Sequence, residues 1–376
     1  MNINAPKLWI ITELFPPDET STSYIMGEIA NIMTQKYNVG VICGPEIYDK
    51  RKKIDTNNKF KLCDSIKIHR TDSVNFDKNT TLGKISSFLL TTQRMIRLVK
   101  KHVRKEDKVL MVTNPAPMVP LMGKLKNKIG FELHILVHDV FPENTRPAGL
   151  KLPMYRIIKN IFDKGYCKSD QLIVLGRDMQ EILLKKISRT KMHHRPEITI
   201  IENWADTQNI QPQAFPKDKI KLEYAGNIGR VQGLDKVIEN LPDNIELHIY
   251  GTGAMEEKLK AQKKKNVFFH GPYFRSQQNE VLAACDIALV TLQDGMYGLG
   301  VPSKTYNILA SGRPILFLGP QGSEIDLLVR EYKIGYCEWP NKWDKSILAE
   351  MGKNARLLAE EKYSKNIILK KFLDTI

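Results

Sequence analysis

Short apolar runs alternate along this chain with longer segments whose apolar residues recur every three or four positions. Runs such as 8–11 and 109–112 contain no polar residue, as in strands that are buried on both faces of a parallel sheet. The longer segments have the spacing of amphipathic helices. The pattern therefore predicts repeated strand–helix units, with strands at 8–11, 39–43, 66–70, 109–112, 133–137, 171–175, 198–201, 220–224, 245–250, 267–269, 287–292 and 315–318.

The alternation is interrupted by the polar loop 207–218, which contains Pro212 and Pro216. A chain of 376 residues is also too long for one ordinary hydrophobic core. We therefore predict an α/β fold of two strand–helix domains that meet near this loop.

The composition is typical of a soluble globular protein. Hydrophobic residues make up 42% of the chain and charged residues 26%, and no apolar run reaches the roughly 18 residues of a spanning helix. The N-terminal residues lack the features of a signal peptide. The five cysteines are widely spaced and form no CxxC pair, so we expect a reducing cytosol and neither a zinc site nor a disulfide framework.

A formal net charge of +15 directs attention to anionic partners: nucleic acid, an anionic membrane surface or a phosphorylated small molecule. No zinc finger or RNA-recognition motif accompanies the charge, so we predict no nucleic-acid partner. The segment 78–105 has eight basic and no acidic residues among apolar positions at helical spacing. Such a helix either packs its apolar stripe on the sheet, with its lysines in solvent, or lays its basic face on anionic lipid.

The stretch 298–314 predicts a loop that runs into a helix and then a buried strand. Gly298 and Gly300 have no Cβ, so a ligand can approach the backbone closely. Ser303 is a candidate N-cap, and Lys304 lies in the first turn of a helix expected to end at residue 310. A lysine at such a helix start suits a phosphate or diphosphate. An ordinary loop–helix–strand connection with a solvated lysine has the same pattern.

Other polar or glycine-rich turns also follow predicted strands. His138 and Asp139 come directly after one strand, and open α/β sheets bind ligands at that end of their strands. Glycine turns follow three strands of the second half, at 226–233, 251–253 and 295–300. Together they suit a nucleoside diphosphate held by backbone amides. NAD and FAD are disfavoured because the first turn of the chain lacks the GxGxxG fingerprint.

Four motifs run in order through the second half: YAGNIGRVQGLD (224–235), IYGTGAMEEKL (249–259), VFFHGPYFRSQQNEVLAACDIALVTL (267–292) and VPSKTYNILASGRPIL (301–316). The series resembles the donor domain of GT-B glycosyltransferases of family 4. HDVFPE (138–143) and ENWAD (202–206) are similar to the first domain and hinge of the same family. The chain most resembles the enzymes of bacterial O-antigen, capsule and exopolysaccharide assembly, including the L-fucosaminyltransferase-like branch.

The resemblance implies two Rossmann-like domains that face each other across a cleft, with residues 1–203 on the acceptor side and 204–355 on the donor side. A C-terminal helix in 356–376 would cross back to the first domain. It also implies a retaining, metal-independent hexosyltransferase that needs no cofactor. The donor would be a UDP-sugar, or else a GDP-sugar, and the acceptor a growing surface glycan on a polyprenyl diphosphate. Such an enzyme would be cytoplasmic and bound peripherally to the anionic inner face of the cell membrane, which favours the lipid contact for 78–105.

The resemblance further assigns roles to individual residues. His138 would lie across the cleft near the donor sugar and the β-phosphate, and Arg230 and Lys304 would neutralise the diphosphate. The nucleotide would be bound by Gly226, Asn227, Gly229, Tyr250, Gly251, Gly253, Pro272, Tyr273, Ser303 and Asn307. The donor sugar would face Gly295, Met296, Tyr297, Gly298, Leu299 and Gly300. No residue is assigned to a metal.

The chain departs from the family pattern where charged groups are expected. Asn227 and Gln232 stand where many members have arginine and lysine, so Arg230 must substitute for them. The family often has two glutamates with seven residues between them, and the second falls on Asn307, which can accept a ribose hydrogen bond only without charge. A GT-B nucleotide-sugar epimerase and a weakly active or non-catalytic membrane-associated protein are therefore alternatives. A glycosidase is a rival enzyme class, and it would need two carboxylates that face each other.

Overall fold

The computed structural model describes residues 6–46, 60–72, 81–216 and 219–376, with the side chains of its second helix described from residue 88. The first half alternates strands and helices. Its strands are β1 (Lys7–Thr12), β2 (Asn38–Cys43), β3 (Lys67–Arg70), β4 (Lys108–Val112), β5 (Glu132–Val137), β6 (Gln171–Val174) and β7 (Glu197–Ile200). Its helices are α1 (Ser21–Met33), α2 (Thr81–His102), α3 (Met118–Ile129), α4 (Tyr155–Cys167) and α5 (Arg177–Ser188).

The seven strands form a parallel sheet in the order β3-β2-β1-β4-β5-β6-β7. The apolar residues of its central strand β1, Leu8 to Ile11, are at most 1% exposed, because the protein covers both faces of the sheet. The strand order reverses between β1 and β4. In open sheets of this kind, ligands bind outside the carboxyl ends of the strands at such a reversal.

The second half repeats this architecture. Its strands β8 (Lys221–Ala225), β9 (Glu246–Tyr250), β10 (Val267–Gly271), β11 (Ile287–Thr291), β12 (Ile315–Leu318) and β13 (Gly335–Tyr336) form a parallel sheet in the order β10-β9-β8-β11-β12-β13. Its helices are α6 (Leu234–Glu239), α7 (Glu256–Lys260), α8 (Gln278–Ala283), α9 (Lys304–Ala310), α10 (Glu324–Tyr332), α11 (Lys345–Glu361) and α12 (Lys365–Thr375). The predicted α/β class with two Rossmann-like domains is therefore confirmed.

The last two helices contact different domains. Helix α11 packs against α9, whereas α12 packs against α1 in the first domain. The contact of α12 with the first domain includes a hydrogen bond from the hydroxyl of Tyr37 to the carbonyl of Ile376 (2.5 Å) and an ion pair between Lys371 and Glu202 (2.8 Å). The chain thus returns from the second domain to the first before it ends at residue 376.

Helix α2 occupies most of the basic segment 78–105, of which residues 78–80 lie outside the described part. Its apolar residues Met95 and Val99 are fully buried, so this stripe packs on the protein. Its basic residues Arg97, Lys100 and Lys101 are exposed. This geometry leaves a basic surface available, and contact of that surface with anionic lipid stays a prediction. Within the described residues, we find no helix that combines the length and the apolar character needed to cross a membrane.

Candidate active site

The loops that follow β5 and β11 meet between the two sheets. Asp139 and Gly300 form an antiparallel backbone bridge, and the amide of Val140 donates to the carbonyl of Leu299 (3.0 Å). Both loops leave the carboxyl ends of parallel strands. The two edges at which such sheets bind ligands therefore face each other.

Gly298 fixes the second of these loops against the first domain. Its amide donates to the carboxylate of Asp178, near the start of α5 (3.1 Å). Its φ of 66° lies in the left-handed region, and a Cβ there would lie 2.5 Å from the carbonyl oxygen of Asp178. Only glycine fits without moving the loop away from α5. The sequence predicts a donor-sugar contact for Gly298, and the structure gives this residue an interdomain contact.

A cavity of about 320 Å³ lies between the two domains at this point, within the size range of small-molecule sites. It brings together predicted residues from both halves of the chain: His138, Gly226, Asn227, Met296, Gly300, Ser303 and Lys304. It also has polar residues to which the sequence analysis gives no role: Ser21, Thr22, Asn203 and Thr291. The cavity is therefore the candidate active site.

Lys304 brings a positive charge to this cavity. It begins α9, and its Nζ is buried without a hydrogen-bond acceptor among the described residues. This nitrogen lies 3.3 Å from the centre of the Tyr224 ring, and a Cβ on Gly226 would lie 3.9 Å from it. Burial lowers the pKa of Lys304 to about 7, and the charge of Glu223 opposes that shift. An anionic ligand beside Gly226 would favour the charged form of Lys304 and raise its pKa again.

Helix α9 begins and ends where the sequence predicts, at Lys304 and Ala310. The prediction that Ser303 caps it is wrong. Ser303 has helical backbone angles (φ −61°, ψ −27°), and its side chain makes no capping hydrogen bond with the described residues. An N-cap residue needs a non-helical backbone to aim its side-chain oxygen at the first turn. The side chain of Ser303 lines the cavity instead.

Glu223 is a buried carboxylic acid that the sequence analysis did not single out. It lies within β8 and is 1% exposed, and neither carboxyl oxygen has a hydrogen-bond partner among the described residues. Burial raises its pKa to about 8, against the opposing charges of Lys304 and Arg313. Burial and the charge of Glu223 together raise the pKa of Tyr250, and they raise that of Tyr273 to about 12. Glu223 thus acts on the tyrosines that are predicted to lie near the nucleoside.

His138 lines the cavity from the first domain. Its backbone amide donates to Oγ1 of Thr113 (3.2 Å), and its ring Nε2 is buried without a partner among the described residues. Burial lowers the pKa of His138 to about 4, so the imidazole is neutral at pH 7. A neutral ring can exchange hydrogen bonds with a ligand hydroxyl, but it supplies no positive charge.

The turn 226–229 packs closely on the turn 251–253. The amide of Gly226 donates to the carbonyl of Tyr250 (2.9 Å). Gly251 has a φ of 131°, and a Cβ there would lie 1.9 Å from the carbonyl oxygen of Gly226. Gly251 therefore serves the approach of one turn to the other, whatever it contributes to a ligand.

The backbone amides of the first turn are not equally available to a ligand. The amide of Gly226 donates to the carbonyl of Tyr250 at the end of β9, and that of Ile228 donates to the carbonyl of Thr252 (2.9 Å). The amides of Asn227 and Gly229 have no acceptor among the described residues. The predicted binding of a diphosphate by this turn can therefore use the amides of Asn227 and Gly229.

The loop 294–300 separates this cavity from a second one of about 700 Å³. Residues 295–300 of this loop are all predicted to face the donor sugar, but they do not all line the same cavity. The smaller cavity is lined by Met296 and Gly300, and the larger one by Gly295, Tyr297 and Leu299.

Several other predicted site residues do not line the smaller cavity. Arg230 is exposed and begins the 3-10 turn Arg230–Gln232. Asn307 is occupied within the protein, because its Oδ1 accepts from the amide of Asp206 (3.0 Å) and its Nδ2 donates to Oε1 of Gln278 (3.2 Å). The remaining ones are Gly229, Tyr250, Gly251, Gly253, Pro272 and Tyr273.

Metal-ligand side chains do not cluster in the described part of the chain. No group of three or more histidine, cysteine, aspartate or glutamate residues is placed there to hold a metal ion.

Comparison with known proteins supports the motif-based resemblance. Residues 205–367 match the family model of Glycosyl transferases group 1. The chain is 28% identical over 402 residues to "Probable glycosyltransferase WbjE" of Pseudomonas aeruginosa, with 97% of this chain and 96% of that protein covered.

Solved structures agree in fold over the whole chain. HepE of Anabaena, in complex with UDP, matches with a TM-score of 0.66 at 12% identity, over 98% of this chain and 99% of that chain. WaaG, a glycosyltransferase involved in lipopolysaccharide biosynthesis, matches with a TM-score of 0.61 at 14% identity, over 97% of this chain and 98% of that chain. The chain therefore has the two-domain fold of GT-B glycosyltransferases, and its residues 205–367 are similar to Glycosyl transferases group 1.

Proposed function

We propose that this chain is a retaining, metal-independent glycosyltransferase of family 4. It transfers a hexosyl group from a UDP-sugar to a growing, lipid-linked glycan of the bacterial surface. The name of WbjE supports the activity, and the part that WaaG plays in lipopolysaccharide biosynthesis supports the polysaccharide setting. The complex of HepE with UDP supports UDP, rather than GDP, as the donor nucleotide. In its narrower form, the proposal is that the chain belongs to the branch that resembles L-fucosaminyltransferases.

The unpaired ammonium group of Lys304 is the observation that carries the proposal. It is held beside Gly226 in a cavity that both domains line. When a sugar–phosphate bond breaks, the negative charge on the departing nucleotide grows. A fixed cation aimed at that charge stabilises the transition state more than the bound substrate.

The other groups of the cavity complete the site. The free amides of Asn227, which lines the cavity, and of Gly229, in the same turn, hold the diphosphate from the second domain. His138 contacts the donor sugar from the first domain. Retention at the anomeric carbon uses the departing phosphate oxygen to take the acceptor proton on the same face, so a dedicated protein base is not needed.

The assay that tests this function measures transfer directly. Purified protein is incubated with UDP-sugars and a synthetic lipid-linked acceptor, with EDTA present, and the product linkage is determined by NMR. We expect transfer with retained anomeric configuration, and UDP should raise the melting temperature more than GDP does. Interconversion of the nucleotide-sugar without any acceptor would favour the epimerase, and nucleotide binding without turnover the non-catalytic alternative.

The cellular setting is part of the same proposal. In this proposal the enzyme lies on the anionic inner face of the cell membrane. The exposed basic residues of α2 support the contact, because each lysine or arginine near such a surface contributes about 1 kcal/mol. We expect sedimentation with anionic but not with neutral vesicles, and loss of it in Lys100→Glu with Lys101→Glu. The matched control reverses the exposed Lys353 and Lys370. Equal binding to neutral vesicles would refute the electrostatic contact.

A further inference from the structure

The larger cavity, of about 700 Å³, lies between α4, α5 and the loop 294–299. Its lining is basic, with two carboxylates, Glu143 and Asp294, against a larger set of cations. The cations come from both helices and from the segment before α4: Arg146, Arg156, Lys159, Lys185, Lys186 and Arg189.

Two of these cations are neutralised within the protein. Lys159 lies 3.2 Å from Glu143 and 2.5 Å from Asp163, and Lys186 lies 2.6 Å from each of the same two carboxylates. The four groups form a closed set of equal and opposite charges. Lys186 is 3% exposed, so the set joins α4 to α5 and leaves no charge for a ligand.

Three arginines of the cavity have no such partner. Arg146, Arg156 and Arg189 form no ion pair with the described residues, and the guanidinium of Arg146 stacks on the ring of Tyr155 (3.9 Å). Lys185, by contrast, pairs with Glu181 on its own helix. A guanidinium presents a planar fork of donors that fits two oxygens of a phosphate. Three unpaired forks around one cavity match a group with more than one negative charge.

The position of the cavity connects it to the proposed reaction. The loop 294–300 is a wall common to both cavities, with Tyr297 on the larger side and Met296 on the side of Lys304. A ligand in the larger cavity is therefore separated from the donor site by the thickness of one loop. Most of the cavity belongs to the first domain, which the resemblance assigns to the acceptor side.

Helix α4, which supplies Arg156 and Lys159, also exposes apolar side chains. Met154, just before the helix, is 71% exposed, Ile157 57% and Ile161 45%. Their spacing of three and four residues places them in one stripe along the helix. Exposed apolar residues in a stripe are expected where a protein meets an apolar chain or surface.

We propose that this basic cavity binds the phosphate or diphosphate group of the acceptor, through Arg146, Arg156 and Arg189. The inference rests on the proposed glycosyl transfer and names the chemistry of its second substrate. Acceptors with and without a lipid chain present the same phosphate chemistry to these arginines.

The test separates this cavity from the donor site by filling the donor site first. The protein is saturated with UDP, and the binding of inorganic pyrophosphate and of farnesyl diphosphate is then measured by calorimetry. The variant combines Arg156→Gln with Arg189→Gln, two exposed residues whose loss leaves the charge set of Lys186 intact. The matched control combines Lys353→Gln with Lys370→Gln, which remove the same charge from exposed positions of α11 and α12, away from the cavity and from the basic face of α2.

We expect both probes to bind to the wild type and to the control, and to bind on the order of 100-fold more weakly to the arginine variant. Tighter binding of farnesyl diphosphate than of pyrophosphate assigns the phosphate to a lipid, and equal binding assigns it to a soluble acceptor. Absence of binding to the UDP-saturated wild type, or equal loss in the control, overturns the proposal. UDP binding by the arginine variant reports on the donor site separately. Failure of the proposed function appears instead in the wild type, as absence of sugar transfer in the activity assay.

Discussion

The ammonium nitrogen of Lys304 lies 3.3 Å from the centre of the Tyr224 ring. The ring face attracts the cation but satisfies none of its hydrogen-bond donors. Nζ has no acceptor among the described residues, so none of its three donors is used within that part of the protein. The geometry thus holds a cation in place before a ligand arrives, and such preorganised charge needs no rearrangement during the reaction.

Removal of this cation should slow the chemical step. We expect Lys304→Ala to lower kcat by about 10² or more, in the range seen when one preorganised donor is lost. The affinity for UDP should fall by a smaller factor, because the charge on the nucleotide grows as the bond breaks. Steady-state kinetics and calorimetry measure the two effects, and circular dichroism checks the fold. Arg230→Ala is the comparison, and an equal effect there would show that the exposed Arg230 moves onto the diphosphate.

The pKa of Lys304 predicts how UDP binding depends on pH. Burial holds this pKa at about 7 without a ligand, and a bound diphosphate raises it. Between pH 7 and 9 binding should therefore take up a proton, and the affinity should fall as the pH rises. Below pH 7 the lysine is already charged, so the dependence should flatten. Calorimetry in buffers with different ionisation enthalpies counts the protons.

Two variants assign that proton to its group. Lys304→Met should abolish the uptake at pH 8, and Glu223→Gln should reduce it only if the Glu223 carboxyl titrates with the ligand. The second variant is needed because the pKa of Glu223, about 8, lies in the same range. A wild type that binds UDP at pH 8 without proton uptake would contradict the assignment to Lys304.

Glu223 predicts a change in stability with pH. Burial raises the pKa of its carboxyl from 4.5 to about 8 in the folded protein. The folded protein therefore holds this proton more tightly than the unfolded chain does. The resulting contribution to stability is present below the pKa of the unfolded state and is lost as the pH rises through the pKa of the folded state. The glutamine of Glu223→Gln cannot ionise. The melting temperature of this variant minus that of the wild type should therefore increase from pH 5 to pH 8 and stay constant above pH 8. A constant difference over this range would show that the carboxyl stays in one protonation state.

Local patterns predicted the elements better than the contacts between them. The strand at 8–11 and the helix from Lys304 to Ala310 follow from the spacing of hydrophobic residues, which is a property of neighbouring positions. The motifs that contain Gly226 and Lys304 predicted that both residues belong to one site. Both line the same cavity, because the ends of parallel strands share an edge of the sheet.

The burial of individual polar side chains, and their pairing with distant parts of the chain, could not be predicted from local patterns. Glu223 is one polar residue in an apolar strand, and only the neighbouring elements reveal that its carboxyl has no partner. The arginines of the larger cavity lie up to 43 positions apart, from 146 to 189. Their lack of counter-ions depends on which carboxylates Lys159 and Lys186 occupy, and a sequence pattern does not contain this information.

His138 predicts a separation of turnover from binding. It reaches the cavity from the first domain, whereas Lys304 and Gly226 belong to the second. We expect His138→Ala to lower kcat while UDP binds as in the wild type. Because the pKa of His138 is about 4, the pH–rate profile of the wild type should show no titration of this ring between pH 6 and 8. Normal turnover of the alanine variant would leave His138 with a structural role.

Asn307 is the residue at which the family pattern and the structure lead to different expectations. In the family pattern its side chain accepts a hydrogen bond from the ribose. In the structure its Oδ1 accepts from the amide of Asp206 (3.0 Å), and its Nδ2 donates to Gln278 (3.2 Å), so the side chain joins α9 to the segment after β7 and to α8. Both ends of the Asn307 side chain are thus already bonded within the protein, and turning the side chain toward a nucleotide would leave the buried amide of Asp206 unsatisfied.

We therefore expect Asn307→Ala to lower the stability of the protein rather than its affinity for UDP. The loss of two hydrogen bonds should cost about 1–3 kcal/mol of unfolding free energy, measured by urea denaturation. The UDP dissociation constant should change by less than about threefold, well below the tenfold that corresponds to about 1.4 kcal/mol. Asn307→Glu should be destabilised as well, because its longer side chain cannot keep the contacts with Asp206 and Gln278. Tenfold weaker UDP binding by the alanine variant, recovered in the glutamate variant at unchanged stability, would instead place Asn307 on the ribose.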